Sequence, residues 1–271
     1  MFLTRFRINT ARPGARRLLS SPQTLHAAVM SGFPTLLPTD APAQGEPRVL
    51  WRLDHRARAE VLLYIVSPHR PDLTHMVEQA GWPAAAESQS PGWQTRLYSP
   101  LLDRLTTGDR WAFRLTANPV HTIRRDNDEP RKITAHLTPT HQMRWLLERQ
   151  EQCGFRILEK PDDKRLLPGG TTHHGKHEHD GDRHELSVSD QQPLSFSKSR
   201  GADGKRAGKP VTLVTVTFDG RLEVTDPHAL RRSLTRGIGR AKAYGCGLMT
   251  LAPLTPATQQ ARWQPSPGAP H

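Results

Sequence analysis

Cysteine is almost missing from this chain of 271 residues: Cys153 and Cys246 are its two thiols. They stand far apart and outside any CxxC spacing, which excludes a disulfide framework and a thiolate zinc site and leaves two plain reduced thiols. Long apolar runs are missing too. No stretch reaches the roughly 18 apolar residues of a membrane span. The start, Met1-Phe2-Leu3-Thr4-Arg5-Phe6-Arg7, has no apolar core of signal-peptide length. A cytoplasmic protein without membrane contact is expected. Acid is the third shortage, with 26 Asp and Glu against 38 Lys and Arg, a net charge of +12. That excess points to polyanionic partners. With 35% hydrophobic residues the chain can build modest cores in one large or two small domains, and wholesale disorder is not expected.

What is present begins with alternation. Phe2, Phe6 and Ile8 fall on one face of a strand while Leu3, Arg5, Arg7 and Asn9 fall on the other, the period of a half-buried strand. A basic turn follows, with Arg12, Arg16 and Arg17, and then Ser21-Pro22 reads as an N-cap with proline at the first helical position. The helix it opens is expected over residues 22–30, with Leu25, Ala28 and Val29 inward and Gln23, His26 and Met30 along a flanking stripe. Strands are expected at 48–53 and 61–67, a short helix capped by Asp72 at 73–80, and a strand at 94–98. The order β-α-β-β-α-β defines a ferredoxin-like domain over residues 1–100.

The same key returns from Arg110, where Trp111, Phe113 and Leu115 alternate with Arg110 and Arg114, and Phe113-Arg114-Leu115 echoes Phe6-Arg7-Ile8. A helix at 140–152, strands at 155–158 and around Val214, Val216 and Phe218, and an Asp219-Gly220 hairpin signal come next. A helix from Asp226-Pro227 and a strand at 248–251 complete a second ferredoxin-like domain, placed at 108–256. Three segments stand outside the scheme. The stretch 169–185 holds His173, His174, His177, His179 and His184 among Gly and Asp and is too polar to pack. A hairpin at 195–218 carries Lys198, Arg200, Lys205, Arg206 and Lys209 around glycines at a basic tip, and 257–271 is expected to be a disordered tail.

The most specific segment is the glycine-rich loop at 237–247, where Gly237, Gly239, Gly245 and Gly247 are interleaved with Arg240, Lys242 and Tyr244. Glycines at this density let backbone approach a phosphate chain, with Arg240 and Lys242 neutralising it and Tyr244 free to stack. It is neither a Walker loop nor a dinucleotide fingerprint, and a glycine-rich helix end with solvated charges fits the spacing equally well.

Taken together, several ordered motifs resemble the CasE family of CRISPR RNA-processing endoribonucleases, subunits of the type I-E Cascade complex. They are residues 1–9 with Leu25-His26, Trp51-Arg52-Leu53, Arg114-Leu115-Thr116-Ala117-Asn118-Pro119, residues 218–224, and the loop and closing strand at 237–254. The resemblance covers nearly everything but the His-rich segment and the tail. It implies an α+β fold of tandem ferredoxin-like, RAMP-type domains with antiparallel sheets. It also implies binding of the hairpin of a CRISPR repeat and cleavage of the precursor transcript at its 3′ side, with partners among the other Cascade subunits.

No metal or other cofactor is implied. The RNA's own 2′-hydroxyl attacks the adjacent phosphate to leave a 2′,3′-cyclic phosphate and a 5′-hydroxyl, and a histidine on the first helix serves in proton transfer. Here that residue is His26. An unperturbed imidazole titrates near pH ~6.5 and can both take and give protons at neutrality. Relatives often place a tyrosine one turn earlier, where this chain has Gln23, which can hydrogen-bond a phosphate but cannot supply a phenolic proton. The family's RNA-gripping hairpin falls on the basic segment with Lys198, Arg200, Lys205 and Arg206. The His-rich segment is read as an inserted loop, a metal-chelating tract being the other reading. A non-catalytic RNA-binding scaffold of the same complex is the alternative function.

Overall fold

The structure is a computed structural model, and residues 1–33, 47–55, 60–82, 92–123, 132–167, 169–171, 178–179, 181–196 and 210–254 are described. The alternating start forms strand β1 (Phe2–Asn9), which sends Phe6 and Ile8 into the core and leaves Arg5 and Arg7 exposed. Helix α2 (Pro22–Met30) opens as its cap predicts, with the Ser21 side chain accepting from the Gln23 N–H at 3.2 Å. Before it lies a helix the sequence reading treats as a basic turn, α1 (Pro13–Leu19). Its Pro-Gly start imitates a turn and Arg12 provides no side-chain cap. Gly14 is there because α1 crosses the end of the helix at Thr74–Ala80 so closely that a β-carbon would meet the Gln79 carbonyl oxygen at 2.3 Å.

Strands β2 (Leu50–His55) and β3 (Glu60–Ser67), helix α3 (Thr74–Ala80) and strand β4 (Trp93–Leu97) complete an antiparallel sheet of order β2-β3-β1-β4. One face packs on α1, α2 and α3 through Phe6, Leu25, Val29, Trp51, Leu63 and Met76. The short helix α4 (Ser99–Arg104) leads into the second unit, built on β5 (Arg110–Ala117), α5 (Pro139–Leu147), β8 (Phe155–Ile157), β11 (Leu186–Phe196), β12 (Val211–Val224), α6 (Pro227–Arg236) and β13 (Met249–Pro253). Its order, β11-β12-β5-β13, repeats the first sheet, so the fold is a tandem of ferredoxin-like units. A small hairpin, β6 (Val120–Ile123) with β7 (Lys132–Ala135), follows β5 and has no counterpart in the sequence reading.

Two further differences have physical causes. Asp219-Gly220 is no turn, because β12 runs straight through it with Asp219 opposite Arg114 and Gly220 opposite Phe113. Asp219 accepts from Arg114 at 2.7 and 3.0 Å, and at Gly220 a β-carbon would strike the Glu185 carbonyl at 2.5 Å and the Phe113 ring at 3.0 Å. The second edge strand is also broken in two. β8 pairs with residues 222–224 of β12 and β11 pairs with residues 211–220, so residues 158–185 are an excursion out of one edge strand, pinned at its neck by a Glu159–His184 bridge. The strands β9 (Gly170–Thr171) and β10 (Glu178–His179) lie within it. The tail at 257–271, the hairpin tip at 197–209 and most of the His-rich run, with His173, His174 and His177, lie outside the described residues.

The two sheets share one core. Leu50 and Val66 on the far face of the first sheet join Phe113, Leu115, Trp145, Phe218, Leu230 and Leu248 of the second unit. Across this joint runs Arg52, 1% exposed. Its guanidinium donates to both Asp54 oxygens at 2.7 and 2.9 Å, to the carbonyls of Arg114 and Leu248 at 2.7 and 3.1 Å, and to Thr250 Oγ1 at 2.9 Å. Five bonds use all five donors of the group, the condition under which a buried charge is tolerated. Arg231 closes the joint elsewhere by donating to the carbonyls of Leu102, Asp103 and Leu105 at 2.5, 3.1 and 3.2 Å. Part of the basic excess is therefore structural.

Candidate functional site

His26 lies on the second helix of the chain, one residue past the buried Leu25, and is half-buried where α2 passes β2. The indole N–H of Trp51, itself 2% exposed, donates to His26 Nδ1 at 3.3 Å. A ring nitrogen that accepts carries no proton, so in neutral His26 the proton sits on Nε2. Burial holds the imidazole below its ordinary pKa, and the Arg48 charge lowers it further. The side chain is thus a neutral ring near pH 7.

The glycine-rich loop closes the other side. Gly237 ends α6 by donating to the Ser233 carbonyl at 2.9 Å, and the loop is tied to β5 through Gly247 N–H and the Thr116 carbonyl at 2.7 Å. Gly237, Gly239, Gly245 and Gly247 all have positive φ, between 77° and 90°. Their missing β-carbons face protein: the Leu50 side chain 2.8 Å from Gly237, the Trp145 ring 2.9 Å from Gly239, the Trp51 ring 2.6 Å from Gly245, and the Ile238 carbonyl 2.8 Å from Gly247. Positive-φ backbone and close packing on the β-carbon side account for glycine at these four positions.

The cations divide. Lys242 lies on the short 3-10 helix Lys242–Tyr244, and its Nζ donates to the Gly239 carbonyl. Burial, then the Arg48 charge, lowers its pKa. Arg240 is exposed. Arg48, which the sequence reading passes over, acts on both His26 and Lys242. Its Nε is buried without a hydrogen-bond partner among the described residues. The signal that marks it is its place three residues before the Trp51-Arg52-Leu53 motif. Gln23 lies one helical turn before His26 and is partly exposed. Lys198, Arg200, Lys205 and Arg206 fall in the tip outside the described residues, but its stem arrives beside the loop, where the Phe196 ring meets Tyr244 edge-on at 4.8 Å.

Next to this cluster, between the α1–α2 turn and the second sheet, is a cavity of about 250 Å³ lined by Ser21, Trp51, Asp54, Arg114, Tyr244 and Gly245 among others. Both thiols are buried, and burial pushes Cys246 up to about 12, so neither is a nucleophile. The described residues contain no group of three or more His, Cys, Asp or Glu arranged to hold a metal ion, and no helix among them is long and apolar enough to cross a membrane. What remains is a neutral imidazole and a half-buried Lys242, each acted on by the Arg48 charge, with Arg240 exposed on the same loop as Lys242. That set can move a proton and stabilise negative charge on a phosphate.

Comparison with known proteins bears on the whole chain. The CRISPR-associated endoribonuclease Cse3 of Thermus thermophilus is 30% identical over 253 residues, covering 93% of this chain and all of that one. The CRISPR system Cascade subunit CasE of Escherichia coli is 31% identical over 151 residues, 56% of this chain and 62% of its own. The structure of the CRISPR endoribonuclease Cse3 bound to a 19-nucleotide RNA superposes with a TM-score of 0.64 and 29% identity over 93% of this chain and all of that one. The model of the family described as CRISPR associated protein matches residues 1–253, and the chain belongs to that family.

Proposed function

We propose that this protein is an endoribonuclease of a CRISPR system that binds the repeat hairpin of precursor crRNA, cuts it at the 3′ side of the hairpin, and keeps the product within a cytoplasmic Cascade complex. The observation that carries this reading is the placement of His26 against Trp51 and under the charge of Arg48, in a chain matching a named endoribonuclease along that protein's full length.

The chemistry needs no metal in this reading. The 2′-hydroxyl loses its proton and its oxygen bonds to the adjacent phosphorus, while the 5′-oxygen of the next nucleotide leaves and gains a proton. The products are a 2′,3′-cyclic phosphate and a 5′-hydroxyl. His26 serves the proton traffic, worth typically ~10² to 10⁴ in rate. Arg48, Arg240 and Lys242 supply positive charge where the phosphorane accumulates negative charge. Gln23 offers a hydrogen bond to a phosphate oxygen and no proton. The basic segment with Lys198, Arg200, Lys205 and Arg206, between β11 and β12, supplies charge for the stem, whose deep and narrow major groove presents mainly phosphates.

The test is cleavage of the cognate repeat hairpin in excess EDTA, with a second substrate carrying 2′-deoxyribose at the cut site. Cyclic phosphate ends from the first and none from the second are expected. Cleavage of the deoxy substrate, or activity restored only by magnesium, would make water the nucleophile. Tight binding with no cleavage of either would leave a scaffold subunit.

A further inference from the structure

Trp51 is one of the motif residues for which the sequence offers no role, and its surroundings supply one. Its indole nitrogen faces His26 Nδ1 at 3.3 Å on one side, and the edge of its six-membered ring lies against Gly245 on the other, where a β-carbon would come within 2.6 to 3.2 Å of three ring atoms. The ring is 2% exposed, so water does not compete for its N–H. Gly245, at φ 82°, is the position in the glycine-rich loop that lets the indole lie where it does.

We infer that Trp51, backed by Gly245, is a positioning residue that holds His26 as the Nε2–H tautomer and fixes the plane of its ring, so that the edge left for RNA carries a proton. This rests on the reading of His26 as the group that serves the cleavage. A donor held at Nδ1 is compatible with neither the Nδ1–H tautomer nor the imidazolium, both of which would set N–H against N–H. Nε2–H hydrogen-bonds a phosphate or ribose oxygen and aims the ring at it; the proton transfer itself follows when the ring takes up a proton at Nδ1, giving up the indole contact, and hands the Nε2 proton to the leaving 5′-oxygen, ending as the neutral Nδ1–H ring.

The titratable side chains on elements packed around α2 are Arg48 ahead of β2, Arg52, Asp54 and His55 on it, Lys242 and Tyr244 of the short helix, Arg16 and Arg17 of α1, and Glu78 and His75 of α3, the last with Nε2 2.9 Å from the Ala28 carbonyl. Of these, Arg48 bears on the charge of His26, in the same direction as burial. Trp51 acts differently, because it selects which nitrogen holds the proton.

The experiment is ¹⁵N NMR of the imidazole rings in the full-length protein, with His26 assigned from its loss in His26→Ala, and in Trp51→Phe and Gly245→Ala. Wild type is expected to show a pyridine-type Nδ1 and a pyrrole-type Nε2. In Trp51→Phe, which keeps most of the ring and loses the N–H, the two nitrogens should move toward each other and protonation should occur at higher pH. Single-turnover cleavage should fall roughly 10²-fold, as for a working group displaced by about an ångström, with repeat affinity unchanged. Gly245→Ala, which pushes the same ring without deleting its nitrogen, should shift the same signals and keeps the test alive if Trp51→Phe fails to fold. A wild-type spectrum with the proton on Nδ1, or a tautomer unmoved in both variants, overturns the inference. Full cleavage by His26→Ala would instead overturn the catalytic reading, and the resting spectrum would still decide the role of Trp51.

Discussion

The two ferredoxin-like units have the same strand order, and both open their first-position helix with a Ser/Thr-Pro pair, Ser21-Pro22 for α2 and Thr138-Pro139 for α5. Their histidines are treated very differently. On α5, His141 Nδ1 lies 2.6 Å from Thr138 Oγ1 in its own helix cap, and its ring stacks 5.8 Å from His136, which stacks 4.4 Å from His121. On α2, His26 is held by a tryptophan from the next strand, which is wedged in turn against the glycine loop of the other unit. One scaffold therefore makes a local histidine ladder in one copy and a tertiary-positioned histidine in the other. Only the second brings a titratable group, half-buried cations and an exposed arginine toward the joint between the sheets.

The largest effect should come from His26→Ala, the sharpest probe of that asymmetry. Cleavage is expected to fall by about 10² to 10⁴, while repeat affinity, set by many cations, barely changes. His141→Ala should leave cleavage intact. Single-turnover rates with filter binding on the same preparations decide it, and equal losses in both variants would mean that the two helices do not differ as described.

Breaking the joint itself comes next. Arg52→Ala removes five hydrogen bonds and leaves Asp54, 9% exposed, with Arg114 at 3.8 Å as its remaining cation. Leaving a buried charge uncompensated costs roughly 3–5 kcal/mol. Denaturant unfolding should show that loss, and the two units should then unfold in separable steps. The exposed cation gives a smaller signal: Arg240→Ala should lower the salt slope of RNA binding by about 0.7 to 0.9 and weaken all hairpins alike. Loss of discrimination between repeats at an unchanged slope would make Arg240 a base reader.

How much of this could be read beforehand divides along the same physical line. Local signals are legible: the alternation of β1, the Ser21-Pro22 cap, and the succession of the four strands of the first unit follow from period and turn chemistry. His26 was legible through the resemblance and its place on the helix. What depends on contacts between distant residues was not. Pro13-Gly14 looks like a turn until Gln79 is seen against it, Asp219-Gly220 looks like a hairpin until Arg114 and Phe113 are opposite, and the spacing of the loop glycines does not show that Leu50, Trp51 and Trp145 lie against them. Arg48 is invisible without the fold because its significance is nearness to His26 and Lys242.

The pH dependence should be smaller and of one sign. His26 and His136 both have pKa values lowered in the folded state, His26 by burial and then Arg48, His136 by burial and then its neighbours His121 and His141. The unfolded chain binds these protons near pH ~6.5 and the folded chain refuses them until lower pH, so stability is unaffected above that value and declines as pH falls below it. Urea midpoints between pH 7.5 and 5 should drop, and less steeply in His26→Ala. A midpoint that rises on acidification would show that these rings gain a partner when protonated.

The smallest effect is expected from removing the excursion that makes the second edge strand unlike the first. Its neck is already closed. The Leu167 N–H donates to Asp182 Oδ1 at 2.9 Å, the Asp182 N–H donates back to the Leu167 carbonyl at 3.4 Å, and Lys160 Nζ donates to the other Asp182 oxygen at 3.0 Å. Those bonds hold the Asp182 carboxyl at about 2, so the neck stays charged and intact through the working pH range. Replacing residues 168–181 by Asn-Gly joins two residues that already face each other, in a two-residue turn matched to the strand twist. Halving a loop changes its closure entropy by only about 0.6 kcal/mol, and the cut leaves Glu159, His184 and Glu185 in place to carry the edge from β8 to β11. Processing should stay within a few-fold of wild type and the unfolding midpoint should hardly move. Loss of cleavage in this variant, together with zinc-dependent recovery of the chelated wild-type protein, would make the histidine tract part of the working site and the break in the edge strand its reason for being.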